Sequence, residues 1–231
     1  EYHPADEMRC PVHFCVGQAA PPAGVCLNLR PDDFAFSGHR SHGYFLAKGG
    51  SMHGLFAELY GKSTGSNSGM GGSQELSDES VNFFSGTILA GHFPIALGTA
   101  LSSQIRGDNR VTLAIIGDGG ADEGVIYETL NFAALKNLPM VFICENNQYS
   151  IFSKQIDRQG LCDLAGRARA FGIPSKVIPG NDVIAVYRAT RRAVNKARDG
   201  NGPSFLELNT YRWCPHVGPE NDDHINNRHM D

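Results

Sequence analysis

Asp118 and Asn147, 29 positions apart, carry the most specific chemistry in this sequence. The aspartate lies in a glycine-rich turn, GDGG, directly after the apolar run VTLAII, and the asparagine lies in ENN, directly after MVFIC. Glycine-rich turns at the ends of buried strands commonly cradle phosphates through their backbone N–H groups. Here the turn carries a negative charge where the phosphate would go. Between Arg110 and Lys136 there is no Lys, Arg or His, while Asp118, Asp122, Glu123 and Glu128 all fall in that interval. A diphosphate brought here directly meets repulsion, and a divalent cation between Asp118 and the phosphates reverses the sign of that interaction. Such a cation needs further oxygen ligands. Asn147 offers an amide oxygen, and backbone carbonyls just beyond it can add another. With two phosphate oxygens and water, these satisfy octahedral Mg²⁺. The backbone N–H groups of Gly119 and Gly120, at the start of a helix, can take phosphate oxygens at the same time.

Other glycine motifs fit poorly. A dinucleotide fingerprint needs GxGxxG, but after Gly117 and Gly119 the third position holds Asp122. No GK[ST] ending makes a P-loop.

The elements that must position these residues follow from the apolar pattern. Val111–Ile116 is a continuous apolar run, as a central parallel strand should be. The stretch Glu123–Asn137 carries Ile126, Leu130 and Ala133 at helical spacing, with Asp122 and Glu123 near its N-terminus, and Met140–Cys144 is a second apolar strand. That is a βαβ unit, and it puts Asp118 and Asn147 at neighbouring strand ends. Further strands are expected at Ser175–Ile178 and Ser204–Tyr211. A helix near Asp182–Arg198 would bury Val183, Tyr187, Thr190 and Val194 and leave Arg188, Arg192 and Lys196 solvated. Upstream, residues 1–30 read as a loop and a short helix broken by Pro21-Pro22. Residues 34–50 read as a strand, a polar turn and a helix start. Residues 61–73, with nine Gly or Ser, read as a mobile loop, and 86–106 as a buried helix with room for close approach at Gly91 and Gly98. Strand–helix alternation of this kind means an α/β fold with a doubly wound, mostly parallel sheet. Its ligands sit at the carboxyl ends of the strands.

Bulk properties agree with a single domain of this class. The chain has 231 residues, 41% of them apolar, and a net charge of −4. A domain of that size buries ~70% or more of its unfolded surface. No apolar run approaches a membrane span and no basic block suggests a nucleic-acid arm, so neither membrane nor nucleic acid is an expected partner. Six scattered cysteines, Cys10, Cys15, Cys26, Cys144, Cys162 and Cys214, read as reduced thiols. They point to a bacterial cytoplasm, or to the mitochondrial matrix if the source is eukaryotic. Glu1 reads as the middle of a longer chain, which leaves a removed presequence open.

The GDG…ENN pair resembles the thiamine diphosphate signature. The stretch GDGGADEGVIYETLNFAALKNLPMVFICENNQYS is similar to the α subunit of the E1 component of 2-oxo acid dehydrogenase complexes, the group of pyruvate, branched-chain 2-oxo acid and acetoin dehydrogenases. VGQAA at 16–20, LRPDDFAFSGHRSHGYFLAKGG at 29–50, ELYGK at 58–62, GGS at 71–73 and TYRWCPHVG at 210–218 follow in the same order. The resemblance implies a single thiamine diphosphate-binding domain over 1–231, without the family's opening helix and C-terminal helical part. It implies that Asp118 and Asn147 supply metal side-chain ligands and the Tyr149 carbonyl a third protein oxygen, and that Gly119 and Gly120 contact the diphosphate. Arg40 and Arg212 would reach the diphosphate from outside the βαβ unit. His39 stands at a position that is Tyr or His in the family. Thr87 and Leu89 align with the segment that meets the aminopyrimidine, with Leu89 as the wedge that bends the cofactor. His216 matches a catalytic-loop histidine, while His42 and His92 are expected to be structural.

The resemblance also implies the reaction: decarboxylation of a 2-oxo acid and transfer of the acyl group to a lipoyl arm on the acyltransferase E2. The glutamate that activates the cofactor comes, in the family, from a separate E1 β subunit, so none is assigned here. The expected assembly is α₂β₂. The sequence departs from many relatives at Gly71-Gly72-Ser73-Gln74-Glu75, where they read GGSMH. Val217 stands where mitochondrial pyruvate dehydrogenases carry a regulatory serine, so phosphorylation at that position is excluded. A transketolase-like half enzyme with the same cofactor, or a non-catalytic assembly module, are the competing readings.

Overall fold

The structure, a computed structural model, describes residues 7, 8 and 10–219. Its centre is a seven-stranded sheet in the order β2-β3-β1-β4-β5-β9-β8. The strands are β1 Phe34–Ser37, β2 Ser77–Asp78, β3 Phe83–Ser85, β4 Thr112–Gly117, β5 Met140–Asn146, β8 Ser175–Pro179 and β9 Ser204–Asn209. All pairings are parallel except β2 with β3. A separate two-stranded ribbon pairs β6 Tyr149–Ser150 with β7 Ser153–Lys154.

The continuous apolar runs are explained by burial on both faces. Along β4, Leu113 and Ile115 pack into one core and Ala114 and Ile116 into the other; along β5, Val141 and Ile143 alternate with Phe142 and Cys144 in the same way. The first core is covered by α1 (Ala20–Cys26), α2 (His42–Ala47), α3 (Met52–Leu59) and α8 (Val183–Arg198), the second by α4 (His92–Arg106), α5 (Gly124–Lys136) and α7 (Leu164–Arg169). Helices on both faces of a mostly parallel sheet make this the doubly wound fold expected from the alternation of elements.

Several local expectations need correction. Pro21 and Pro22 start α1 rather than break it, because the first helical positions have no intrahelical N–H bond to lose. The α8 face turned inward is Val186, Ala189, Thr190, Ala193, Val194 and Ala197, whereas Val183 is exposed and Tyr187 half-buried. Small alanines on α8 allow the close approach of α1, where a Cβ on Gly24 would meet Val186 at 2.9 Å. The segment 86–91 is not helical, and α4 begins only at His92. That helix is buried along Phe93, Ala96 and Ala100 but exposes Ile95 and Ile105. Gly98 faces open space rather than a neighbour.

The glycine- and serine-rich segment 61–73 lacks helix and strand, as expected, yet it is fastened. Glu58, buried at the end of α3, accepts backbone N–H bonds from Asn67, Gly69, Gly71 and Gly72 at 2.7–3.1 Å. One carboxylate therefore satisfies four donors that a loop of this composition would otherwise present to water.

Candidate active site

The register of the two central strands decides the site. Gly117 pairs with Glu145 across β4 and β5, so Asp118 leaves one strand beside the point where Asn147 leaves the next. Around them a cleft of about 280 Å³ opens at the carboxyl ends of the strands. Its walls include every residue singled out from the sequence: His39, Arg40, Thr87, Leu89, Asp118, Gly119, Gly120, Asn147, Tyr149, Arg212 and His216. These come from five separate stretches of chain, and only the fold brings them together.

Asp118 is almost fully buried. Burial pushes its carboxyl up, and the Arg158 guanidinium opposes that shift. Asn147 is held in one orientation, because its Nδ2 donates to Gln18 Oε1 at 3.0 Å and its Oδ1 accepts the Tyr149 N–H at 3.1 Å. The same Gln18 oxygen accepts the Thr210 hydroxyl at 3.0 Å. Gln18 lies in the VGQAA stretch and is fully buried. Gly119 and Gly120 leave little room for side chains: a Cβ on Gly119 would come within 2.5 Å of Ser150 Oγ, and one on Gly120 within 2.5 Å of Ile116. Gly119 and Gly120 open a single 3₁₀ turn, Gly120–Asp122, and α5 starts at Gly124 rather than directly at the turn.

The positive charge that the acidic turn lacks arrives from elsewhere, in part as expected. Arg40 enters from the loop after β1 and Arg212 from the loop after β9. Arg40 donates to the carbonyls of Phe14 and His216, and Arg212 donates to Ile151 O at 3.0 Å. A third arginine was not anticipated. Arg158, at the end of the short helix α6 (Gln155–Arg158), pairs with both Asp118 and Asp122, and Gln159 Nε2 bonds Asp122 at 2.7 Å. Its signal in the sequence is its place in the segment that follows ENN, opposite an interval with no cation of its own.

Three imidazoles gather at the cleft wall: His13, His39 and His216, with ring centroids 4.6 to 5.3 Å apart. Burial is the main cause that pushes His13 down to about 4 and His39 and His216 down to about 3, with Arg40 adding to each shift. All three are neutral at pH 7. His42 and His92, expected from the sequence to be structural, each make an internal hydrogen bond. His42 Nε2 bonds Ser73 Oγ at 2.8 Å, and His92 Nε2 bonds Ile115 O at 2.8 Å in a buried position that holds it down at about 4. Leu89 lies across from Gly120 and is part-exposed into the cleft, whereas the Thr87 hydroxyl donates to Glu75. The departure at Gln74-Glu75 is therefore part of this site, since Gln74 lines the cleft and Glu75 holds Thr87. Glu145 was also missed. It lies in the cleft wall, accepts the Tyr44 hydroxyl at 2.9 Å, and is raised by burial to about 7.

The donor set suits a hard dication with a diphosphate. A buried carboxylate and an oriented amide oxygen line the same cleft as the glycine turn, and two arginines share its walls. A family model described as "Dehydrogenase E1 component" matches residues 5–231. The chain belongs to this family. It is similar to the α subunit of acetoin:2,6-dichlorophenolindophenol oxidoreductase of Bacillus subtilis, at 39% identity over 89% of this chain and 62% of that protein. It is also similar to the pyruvate dehydrogenase E1 component subunit alpha of Rhizobium meliloti, at 38% identity over 88% of this chain and 59% of that protein. The somatic, mitochondrial pyruvate dehydrogenase E1 subunit alpha of Macaca fascicularis is 37% identical over 88% of this chain and 52% of that protein. The E1 chain thus spans between half and two thirds of the length of these relatives. No helix among its described residues is long and apolar enough to cross a membrane.

Proposed function

We propose that this E1 chain is the α-type part of a 2-oxo acid dehydrogenase and forms, over 1–231, a single domain that binds Mg²⁺ and thiamine diphosphate. The observation that carries this reading is the pairing of Asp118 and Asn147 at the ends of adjacent parallel strands, with the Gly119-Gly120 cradle between them. Asp118, Asn147 Oδ1 and the Tyr149 carbonyl would hold the metal. The backbone N–H groups of Gly119 and Gly120, with Arg40 and Arg212, would bind the diphosphate and balance its charge. Thr87, His39 and Leu89 would bound the rest of the cofactor, Leu89 offering the apolar surface against which it bends. When bound, thiamine diphosphate supplies a carbon nucleophile for the 2-oxo carbonyl and a sink for the electrons left when carbon dioxide departs. His216 presents a neutral imidazole at the mouth, able to hydrogen-bond a substrate there.

The activating glutamate would come from a β subunit, in an α₂β₂ assembly that passes its acyl group to a lipoyl arm of E2. The names of the relatives support the α-subunit assignment over a transketolase-like half enzyme. Its compartment would be the bacterial cytoplasm, or the mitochondrial matrix in a eukaryote. The test mixes the protein with its β partner, thiamine diphosphate, Mg²⁺ and pyruvate or another short 2-oxo acid. Carbon dioxide release with acylation of a lipoyl domain is expected. Ketol transfer between sugar phosphates, or no turnover with any 2-oxo acid, would contradict it.

A further inference from the structure

His13, His39 and His216 come from three distant points in the chain: the segment before α1, the loop after β1 and the loop after β9. Their ligand atoms all lie within 4.8 Å of one another, and they are the one such group among the described residues. We propose that these three imidazoles form a binding site for a single borderline dication of the Zn²⁺ class at the mouth of the cleft, separate from the oxygen-ligand site at Asp118.

Three neutral nitrogen donors with an open fourth position are the ligand set that Zn²⁺, Co²⁺, Ni²⁺ and Cu²⁺ prefer. The Gln74 amide lies 3.4 Å from His13 Nδ1. That contact helps to orient the His13 ring beside the other two. Arg40 and Arg212 act on the same rings and set the selectivity. Their charge repels any dication. Mg²⁺ and Ca²⁺ bind imidazole too weakly to offset that repulsion, whereas a borderline metal gains three strong nitrogen bonds. Occupancy would tie the His216 loop to the other two segments across the entrance, so this metal would act as an inhibitor of whatever chemistry the cleft performs. The site itself does not depend on the E1 assignment.

The test is Zn²⁺ titration of the purified protein by calorimetry, with Co²⁺ absorption as the coordination readout. One Zn²⁺ per chain is expected, unaffected by excess Mg²⁺, together with the intense visible bands of tetrahedral Co²⁺ and a Zn²⁺-dependent rise in melting temperature. His39→Tyr and His216→Asn should each weaken Zn²⁺ binding by more than about 100-fold, with circular dichroism of the metal-free variants unchanged. Asp118→Ala should leave Zn²⁺ binding intact while removing the Mg²⁺ site, which separates this proposal from the cofactor reading. Zn²⁺ binding that survives both histidine substitutions would place the metal on the free thiols and overturn the proposal. So would an absence of stoichiometric binding in the unsubstituted protein.

Discussion

Arg158 donates to the carboxylate of Asp118 from α6, a helix whose side chains do not line the cleft. The pair is the electrostatic counterpart of the acidic turn. The guanidinium offsets the charge of the buried carboxylate and ties α6 to the GDG turn through Asp122 as well. Two cations on one carboxylate weaken each other's hold. Arg158→Gln should therefore tighten Mn²⁺ or Mg²⁺ binding at Asp118 by about tenfold, roughly the strength of one partly buried charged hydrogen bond. Titration followed by Mn²⁺ spin resonance measures this directly. Unchanged or weaker metal binding would show that Arg158 helps to orient Asp118 rather than compete for it.

Gln18 bonds Asn147 and Thr210 with a single oxygen, and so fixes the direction of the Asn147 amide. Gln18→Leu removes both bonds but keeps the apolar volume. Metal affinity should fall by about 10–100-fold, the usual effect of losing a group that orients a ligand. The melting temperature of the metal-free protein should move little by comparison. Equal losses in both would assign Gln18 to folding alone.

Acid sensitivity follows from His92. Its folded-state pKa of about 4 lies below the unfolded value of 6.5, so between these values the unfolded chain binds the extra proton. Stability from this residue is present in full above pH 6.5 and is lost as pH falls toward 4. The full shift corresponds to about 3 kcal/mol. Denaturant melts at several pH values should show His92→Gln with a flatter profile than the parent between pH 6.5 and 4. Parallel profiles would contradict the assignment.

Glu58 holds 61–73 through four backbone bonds. Glu58→Ala leaves those donors without a protein acceptor, and a loss of at least ~2 kcal/mol is expected. Hydrogen exchange at Asn67, Gly69, Gly71 and Gly72 should accelerate in step. Exchange that stays protected would mean the loop is ordered by other contacts.

Much of this architecture was legible in the sequence because two regularities carried it. The apolar runs of β4 and β5 are continuous, so the βαβ unit and the meeting of Asp118 with Asn147 followed from strand order alone. The motif series then reached Arg40, Leu89, Arg212 and His216, which no local pattern could have linked. What stayed hidden depended on tertiary pairing. Arg158 and Glu58 are ordinary charged residues by spacing, and only the fold shows Arg158 meeting the buried Asp118 and Glu58 itself buried beneath four backbone donors. The inward face of α8 is hard to read because half of its buried positions are alanines, whose weak hydrophobic signal is outweighed by Val183 and Tyr187. Pro21-Pro22 suggests a break because proline disrupts a helix interior, but the first turn tolerates it.

In the proposed site Asp118 holds a dication, which in turn holds a diphosphate. Calorimetric titration of thiamine diphosphate into the protein assembled with its β partner, with and without Mg²⁺, tests it most directly. Mg²⁺-dependent binding to the parent protein is expected, with loss of that binding in Asp118→Ala while the assembly stays intact. Thiamine diphosphate binding of unchanged affinity in Asp118→Ala, or binding indifferent to Mg²⁺, would contradict it.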